Sequence, residues 1–314
     1  MEKVIIIGSG PAGYTAAIYT ARAQLNPLLI AGPALGGQVA LSSEVGNYPG
    51  FPEDIVGAEL AERMKKQAER FGTRIEMDMV TAVDLSVRPF KVTTYGGEYE
   101  TWALIVASGA SPRKLGVPGE QEFAGRGVSY CATCDGFFYI GKEIVVVGGG
   151  DVAVEEALYL THFASKVTII HRRNRLRAEP LMQQRAFRHE KIAFLWDTVV
   201  TEITGEDFVT GVRVRNVRTG EEHLFPTQGV FIAIGYAPNT DFLGGQLALH
   251  DNGYLVADEH GQTSVEGVWA AGDVCDWNYH QIATSVGAGC RAAIQAERYI
   301  ARLEDRAYPG DMNR

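Results

Sequence analysis

The chain has 314 residues, of which 46% are hydrophobic and 21% are charged, a composition typical of a soluble globular protein with room for two domains. Its 38 acidic residues outnumber its 29 Lys and Arg residues, and the net charge of -9 argues against charge-driven binding to nucleic acid or anionic membranes. We expect neither a signal peptide nor a transmembrane helix, because every apolar run is far shorter than the roughly 20 residues that span a bilayer. A cytoplasmic location is therefore expected.

The first predicted elements form a strand, a glycine turn and a helix. An apolar strand over residues 4–7 leads directly into a turn that contains Gly8, Gly10, Pro11, Ala12 and Gly13, and a helix is predicted over 11–23. Two glycines allow a tight turn and a close approach to a pyrophosphate, and the third lets the helix pack on the strand. This context predicts a dinucleotide-binding turn. The next strand, over 27–31, ends without the acidic residue that would hold a ribose, so that anchor is missing or supplied elsewhere.

The chain continues with polar loops and a small sheet. Two turn-rich loops, which include Gly37, Gln38 and Asn47, are placed to lie along a cofactor. An apolar stripe predicts a helix over 58–71, and alternating segments over 74–85 and 90–102 predict a small antiparallel meander. A buried strand over 104–109 follows. The first half therefore has the elements of one nucleotide-binding domain.

The same order of elements then repeats. A strand over 143–147 enters a second turn with Gly148, Gly150, Asp151 and Ala153, followed by a helix over 151–162 and a strand over 166–170. A meander is predicted over 192–224 and a buried strand over 230–235. The second copy differs in placing His171, Arg172 and Arg173 after its second strand, with Arg177 close behind. Arginines at this offset suit the 2′-phosphate of NADP(H), whereas the alternative is a solvated basic surface.

The last part of the chain predicts a return to the first domain. A strand over 267–273 ends in Gly272-Asp273, and a long helix is predicted over 283–303. We therefore expect an α/β fold of two Rossmann-like domains, each with a three-layer sheet and helix core and a small antiparallel meander. The predicted bounds are 1–114 with 242–314 for the first domain and 115–241 for the second, which is inserted into it. A frayed polar tail is expected over 307–314.

A pair of cysteines lies just before the second glycine turn. Cys131 and Cys134 are separated by two residues and followed by Asp135, a spacing that suits thiol–disulfide exchange in a reducing compartment. A zinc site is the alternative, but Cys275 and Cys290 have neither this spacing nor flanking histidines. We expect these two cysteines to be inert buried thiols. His280 is placed either near a cofactor or on the surface at a helix start, and the roles of Trp277 and Tyr279 stay open.

Together, the motifs at 131–136, 148–151, 171–173 and 271–274 resemble those of the low-molecular-weight thioredoxin reductases, within the pyridine nucleotide-disulfide oxidoreductases, over about residues 1–303. The resemblance implies FAD in the first domain, NADPH in the inserted domain and a homodimer. It implies FAD contacts from Gly8, Gly10, Pro11, Ala12, Gly13, Gly37, Gln38, Asn47, Ala107, Gly109, Gly272, Asp273, Gln281, Ile282 and Ala283. It implies NADPH contacts from Gly148, Gly150, Asp151, Ala153, His171, Arg172, Arg173, Arg177, Ile234 and Gly235, and no metal ligands.

Two positions depart from the family pattern. Val152 stands where a hydroxyl residue is common, which removes one contact to phosphate, and Asn174 replaces the usual acid after the two arginines. The second change leaves the basic cluster more basic. Neither departure removes the expected NADPH site.

The resemblance also implies a mechanism. Electrons would pass from NADPH through the flavin to the Cys131–Cys134 disulfide and then to thioredoxin or a thioredoxin-like protein. Cys134 would contact the flavin, Cys131 would attack the substrate disulfide, and Asp135 would deliver or collect a proton. That last role requires burial to raise the pKa of the carboxyl.

A geometric conflict predicts motion. The cysteine pair and the NADPH turn lie in one domain, yet both must reach the flavin in the other. A rotation about the crossings near 115–119 and 235–239 would let them alternate. Glycine and proline residues there fit a hinge, although they are equally ordinary in linkers.

Three other functions stay open at this point. A related flavoprotein could reduce a different disulfide protein, a thiol oxidase of similar fold would need no NADPH, and a nucleotide-binding redox sensor would regulate a partner without sustained turnover. The basic cluster at 171–173 argues against the oxidase.

Overall fold

The computed structural model describes residues 1–32, 34–42 and 44–306, so the tail predicted at 307–314 lies outside the described residues. The chain divides into two compact units. The first unit is Met1–Ser111 together with the chain from Ala237 onward, and the second unit is Pro112–Tyr236. The first segment of the first unit thus ends at residue 111, where the prediction was 114, and its second segment begins at residue 237, where the prediction was 242. Which nucleotide each unit binds stays a prediction.

The described residues form the following regular elements. The strands are β1 (Glu2–Ile7), β2 (Leu28–Ile30), β3 (Arg74–Glu76), β4 (Val80–Asp84), β5 (Phe90–Thr94), β6 (Glu98–Val106), β7 (Ala110–Pro112), β8 (Val128–Ser129), β9 (Glu143–Gly148), β10 (Lys166–Ile170), β11 (Ile192–Leu195), β12 (Thr198–Gly205), β13 (Val209–Asn216), β14 (Glu222–Pro226), β15 (Val230–Ala233), β16 (Tyr236–Pro238) and β17 (Val268–Ala270). The helices are α1 (Pro11–Arg22), α2 (Gly57–Arg70), α3 (Ala132–Asp135), α4 (Asp151–Leu160), α5 (Pro180–Arg188) and α6 (Ile282–Leu303), with 3-10 turns at Gly37–Leu41, Gly136–Tyr139 and Asp241–Leu243.

The sheet of the first unit is mainly parallel. Strands β3, β2, β1, β6 and β17 pair side by side and run in the same direction. Strand β5 extends this sheet as an antiparallel neighbour of the first half of β6, and β4 pairs antiparallel with the outer side of β5. The prediction of an antiparallel meander starting at residue 74 is therefore wrong in one part, because β3 joins the parallel sheet through β2.

Strand β6 is longer than predicted. Residues 98–102 alternate between more exposed and more buried positions, as a strand with one solvent-facing side does, whereas residues 103–106 are completely buried. This change in burial pattern is why the sequence suggested two separate strands. The single strand pairs with β5 over its first half and with β17 over its second half. It thereby links the meander to the nucleotide-binding sheet.

The second unit repeats the parallel arrangement. Its five-stranded sheet has the order β11, β10, β9, β15 and β8, all parallel, and a separate antiparallel sheet contains β12, β13 and β14. The meander predicted from residue 192 therefore begins only at Thr198, because β11 pairs in parallel with β10. Helices α3 and α5 and strand β8 were not predicted.

The long helices follow the predicted pattern. Helices α1, α2, α4 and α6 begin and end within two residues of their predicted limits. In the first unit one face of the sheet packs against α1, α2 and α6, and the other face packs against the meander and residues 242–257. No helix in the described ranges is both long and apolar enough to cross a membrane.

Replacing Leu104 by Ala should strongly destabilise the protein. Leu104 is completely buried in β6, between β1 and β17, so truncation leaves a cavity that the sheet cannot close. The free energy of unfolding should fall by about 2 to 5 kcal/mol in urea denaturation. Leu303→Ala, at a half-exposed position at the end of α6, is the control and should cost far less. Equal losses in the two variants would contradict this account of the core.

Candidate active site

The first glycine turn has the geometry that a dinucleotide requires. A Cβ at Gly13 would lie 1.9 Å from the carbonyl oxygen of Gly8, so only glycine lets α1 pack this closely on the turn. A Cβ at Gly10 would meet no atom of the described residues within 4 Å, and no side chain among them caps the first N–H groups of α1. The start of this 12-residue helix therefore offers open backbone donors to a phosphate.

The other predicted residues of the first unit gather at the same edge of the sheet. In the strand register, Ile7 lies beside Val106, and Val106 lies beside Ala270, so the carboxyl ends of β1, β6 and β17 are adjacent. The predicted residues within three positions of these strand ends are Gly8, Ala107, Gly109, Gly272 and Asp273. Ligands of open α/β sheets bind at such edges.

Polar contacts connect several of these residues. The Asn47 side-chain amide donates to Oε1 of Gln281 over 3.1 Å, which brings together two residues for which the family resemblance implies FAD contacts. The hydroxyl of Ser285 donates to Oδ1 of Asp273 over 3.1 Å, and Nδ1 of His280 lies 3.6 Å from Oδ2 of the same carboxylate. The His280 side chain is largely buried, so its position is beside Asp273 rather than on the surface.

The remaining predicted residues of this unit lie nearby in the chain. Pro11 and Ala12 open α1, Gly37 and Gln38 lie in the 3-10 turn at Gly37–Leu41, and Ile282 and Ala283 open α6. Gln281 precedes α6, and no side chain among the described residues caps that helix. The donor set, with two helix starts and a carboxylate, fits a dinucleotide that carries a hydroxylated chain.

The second glycine turn has a similar construction. A Cβ at Gly148 would lie 2.4 Å from the carbonyl oxygen of Ala233 and 2.6 Å from the Cβ of Ala153, so glycine lets β9, β15 and α4 meet. Helix α4 begins at Asp151, and Oδ1 of Asp151 accepts a hydrogen bond from the backbone N–H of Glu179 over 2.6 Å. Ile234 and Gly235 follow the adjacent end of β15.

A basic cavity lies beside this turn. It has a volume of about 400 Å³ and is lined by Arg172, Arg173, Asn174, Arg175, Asp197 and Arg218. Arg175 and Arg218 were missed from the sequence, although Arg175 belongs to the same basic run. Arg218 comes from the turn between β13 and β14 and forms an ion pair with Asp197 over 3.6 Å. The cavity suits a phosphate group on a nucleotide.

Two predicted residues lie at the turn rather than in this cavity. The backbone N–H of Arg177 donates to the carbonyl oxygen of Gly149 over 2.7 Å, and its guanidinium lies 4.0 Å from the place of a Cβ on Gly150. His171 is buried, and a Cβ on Gly149 would lie 2.3 Å from its Nδ1. Burial lowers the pKa of His171, so its ring is neutral at pH 7 and supports the turn by packing.

The cysteine pair forms a disulfide at the start of α3. The Cα atoms of Cys131 and Cys134 are 5.3 Å apart, and the backbone N–H of Cys134 donates to Sγ of Cys131 over 3.2 Å. Both residues are partly exposed, and the Thr133 hydroxyl oxygen lies 3.4 Å from Sγ of Cys131. A partly exposed disulfide in a four-residue ring is accessible to thiol exchange.

Asp135 has the environment that a proton-transfer role requires. Burial raises the pKa of its carboxyl, and the hydrogen bond from Ser129, 2.6 Å from Oδ2, opposes that rise. Ser129 is itself buried, and its hydroxyl oxygen also accepts the backbone N–H of Cys131 over 3.1 Å. No sequence signal marked Ser129. The Ser129 hydroxyl connects the carboxyl of Asp135 to the backbone of Cys131.

A second carboxyl with a raised pKa lies behind the pair. Glu156 is on α4, which packs against α3, and burial raises its pKa to about 7 while the backbone N–H of Ala132 opposes the rise as a donor. Oε2 of Glu156 is buried and has no hydrogen-bond partner among the described residues. The sequence placed Glu156 on a predicted helix, next to the exposed Glu155, with no sign of burial.

The other two cysteines are free thiols. Both Cys275 and Cys290 are partly exposed, so the prediction of buried thiols is wrong. The thiol of Cys275 donates to the carbonyl oxygen of Gly272 over 3.3 Å, and partial burial raises its pKa to about 12. Cys275 is therefore a poor nucleophile near pH 7. In the ranges that the structure describes, no cluster of His, Cys, Asp and Glu side chains could hold a metal ion.

Comparisons with known proteins show the family of this chain. A model of the pyridine nucleotide-disulphide oxidoreductase family matches residues 2–295. A thioredoxin reductase of Rickettsia felis is 55% identical over 303 residues, which cover 95% of this chain and 98% of that protein. The chain belongs to the thioredoxin reductases of this family. The solved thioredoxin reductase of Streptococcus pyogenes matches with a TM-score of 0.91 and 43% identity, over 97% of this chain and 99% of that one.

A second solved structure gives the same result. The thioredoxin reductase of Giardia duodenalis matches with a TM-score of 0.90 and 40% identity, over 96% of this chain and 99% of that one. The family resemblance, the fold class and the assignment as an oxidoreductase that the sequence predicted are therefore confirmed. The thioredoxin reductase family implies a flavin and a pyridine nucleotide.

Replacing Glu156 by Gln should change how stability depends on pH. The ordinary pKa of this carboxyl is 4.5 and its pKa in the folded protein is about 7, so between these values the folded state binds more protons than the unfolded state. The free energy of unfolding of the wild type should therefore fall, relative to E156Q, by about 3 kcal/mol as the pH rises through this interval. Urea denaturation at several pH values measures this difference.

The control for this experiment is Glu155→Gln. Glu155 is exposed on the same helix, and its charge makes the smallest contribution to the raised pKa of Glu156, so its replacement should leave the pH dependence close to that of the wild type. If E156Q and the wild type lost stability in parallel as the pH rose, the raised pKa of Glu156 would be wrong.

Proposed function

We propose that the chain binds FAD in its first unit and NADPH in its second unit, and that it reduces the disulfide of thioredoxin or a thioredoxin-like protein. The observation that carries this proposal is the partly exposed Cys131–Cys134 disulfide beside the half-buried Asp135, in the unit that also has a glycine turn and a basic cavity. The names of the relatives support thioredoxin as the substrate.

In this proposal the first unit holds FAD through backbone groups. The open N–H groups at the start of α1, around Gly10, bind the pyrophosphate, and Asp273 binds the hydroxyls of the ribityl chain. Asn47 and Gln281, which are hydrogen-bonded to each other, lie on the flavin side. When bound, FAD supplies the chemistry of accepting a hydride and releasing two electrons to a disulfide.

The second unit holds NADPH in a corresponding way. The start of α4, around Gly150, binds the pyrophosphate with the help of the Arg177 guanidinium. Arg172 and Arg173 bind the 2′-phosphate in the basic cavity. Because an acidic residue is absent from the end of β10, the site favours NADPH over NADH.

The redox pair then transfers electrons by thiol chemistry. In the overall reaction NADPH, a proton and the substrate disulfide give NADP⁺ and two thiols. Cys134 would be the sulfur nearer the bound flavin, and Cys131 would attack the substrate disulfide, so that Cys134 would resolve the mixed disulfide. Asp135, with its raised pKa, holds the proton that the leaving thiolate takes up.

Three further features belong to this proposal. The second unit turns about the crossings near 115–119 and 235–239 so that the nicotinamide and the cysteine pair reach the flavin in turn. The working form is a homodimer. The protein acts in the cytoplasm, where NADPH keeps thioredoxin reduced.

Replacing either redox cysteine by Ser should separate the two half-reactions. A serine oxygen cannot form the disulfide, so NADPH-dependent reduction of thioredoxin should fall by more than roughly 100-fold in Cys131→Ser and Cys134→Ser. Bleaching of the flavin absorbance by NADPH should continue in both variants. Cys290→Ser is the control and should retain thioredoxin reduction, and full activity in either redox variant would refute the role of the pair.

Reversing the charge of Arg173 should discriminate between the two nicotinamides. In Arg173→Glu the Michaelis constant for NADPH should rise roughly 10- to 100-fold, because a charge-assisted contact to phosphate becomes a repulsion, whereas the constant for NADH should change little. Steady-state reduction of thioredoxin measures both constants. Arg188→Glu, on the exposed surface of α5, is the matched control. An equal loss with both nucleotides would show that the cavity does not bind the 2′-phosphate.

A further inference from the structure

The residue before the redox pair has an unusual set of contacts. The hydroxyl of Tyr130 donates to Oε1 of Glu120 over 2.9 Å, and the carbonyl oxygen of Tyr130 accepts a hydrogen bond from the hydroxyl of Tyr236 over 2.7 Å. Burial, and then the hydrogen bond to Glu120, raises the pKa of Tyr130, so its hydroxyl keeps its proton and acts as the donor. Tyr130 is thus held at both its side chain and its backbone.

Glu120 connects Tyr130 to the first crossing. Its side chain is buried, with 3% of the residue exposed. Its carboxylate accepts the backbone N–H of Leu115 over 3.0 Å and that of Gly116 over 2.7 Å, in addition to the hydroxyl of Tyr130. A buried carboxylate needs all these donors, because each lost donor leaves it with an uncompensated desolvation cost.

Tyr236 connects Tyr130 to the second crossing. It is the last residue of the second unit, and its neighbour Gly235 accepts the backbone N–H of Arg113 over 2.9 Å through its carbonyl oxygen. Hydrogen bonds therefore connect the first crossing to Glu120, Glu120 to Tyr130, and Tyr130 to Tyr236 at the second crossing. The bond from Arg113 to Gly235 joins the two crossings directly and closes the network. We name this network the crossing clamp, formed by Arg113, Leu115, Gly116, Glu120, Tyr130, Gly235 and Tyr236.

The crossing clamp is covalently continuous with the redox pair. The peptide that joins Tyr130 to Cys131 has its carbonyl held by Tyr236 and its N–H held by Ser129 over 3.1 Å. Both polar groups of this peptide are therefore occupied. Reorienting the peptide between Tyr130 and Cys131 therefore requires that at least one of these two hydrogen bonds break.

We propose that Tyr130 is a positioning residue that joins Cys131 to both crossings, so that the segments at 113–117 and 129–135 move as one body when the second unit turns. The proposal rests on the proposed function for its kinetic consequence. A clamped pair arrives at the flavin in one orientation, whereas a loosened pair must search for it. Tyr130 acts through Cys131 and touches no reacting atom.

Hydrogen exchange of the oxidised holoprotein tests the clamp without any substrate. In Tyr130→Phe and in Tyr236→Phe, amide exchange should rise roughly 3- to 10-fold in both segments together, because each variant removes one hydrogen bond from the crossing clamp. In the double variant the fold-increase in amide exchange should be smaller than the product of the two single-variant increases, because both substitutions act on one network. Tyr159→Phe, whose ring packs on His162 and Phe163 in the same unit, is the control.

Anaerobic stopped-flow kinetics distinguish a positioning role of Tyr130 from a role in stability alone, because they measure flavin reduction and electron transfer to the disulfide separately. Flavin reduction by NADPH should stay within roughly 2-fold of the wild type in the single variants, whereas electron transfer between the reduced flavin and the disulfide should slow by roughly 3- to 10-fold. Exchange that rises in only one segment, or in neither, would overturn the proposal. Equal slowing of both steps together with a lower melting temperature would also overturn it.

The crossing clamp and the proposed function can be refuted separately. If the wild type does not reduce thioredoxin, the proposed function is wrong, while coordinated exchange in the two segments still supports the clamp. If thioredoxin is reduced and the two segments exchange independently, the clamp is wrong and the function stands.

Discussion

The disulfide between Cys131 and Cys134 depends on where α3 begins. Cys131 is in an extended conformation at the N-cap, and Cys134 lies in the first turn, so the turn brings the two Cα atoms to 5.3 Å. The same turn lets the N–H of Cys134 donate to Sγ of Cys131. A helix that began one residue earlier would place Cys131 inside the turn, where this backbone contact is lost. The position of one helix start therefore sets the geometry of the redox centre.

Two carboxyls with raised pKa values lie near this helix start, and their settings differ. Asp135 is hydrogen-bonded to Ser129, which holds the backbone of Cys131, so its protonation is connected to the pair through one hydroxyl. Glu156 lies on the neighbouring helix, has one oxygen without a partner among the described residues, and has a pKa of about 7. Charged carboxylates beside a thiolate would oppose its formation, and burial reduces that repulsion by favouring the neutral acids.

The two units show how one plan is used twice in a chain. Each has a five-stranded parallel arrangement with a glycine turn after the central strand, β1 in one case and β9 in the other. The fifth strand differs: β17 follows the rest of its unit in sequence, whereas β8 precedes it. The inserted unit begins and ends at the two crossings. Its fifth strand, β8, comes soon after the first crossing, and β15, the strand that β8 pairs with, comes shortly before the second. The insertion therefore changes the order of elements along the chain and keeps the order of strands in the sheet.

The sequence by itself determined the features that are local in the chain. The glycine turns, the cysteine pair and the basic run at 171–173 each occupy a few consecutive residues, and their chemistry follows from spacing, so they were found together with the long helices. Only the tertiary structure decided that β3 and β11 belong to parallel sheets, because strands of three or four residues are too short to show a period. It also decided the partners of Ser129, Glu120, Glu156 and Arg218. Burial and hydrogen bonding depend on what approaches through space, and no pattern of neighbouring residues records that.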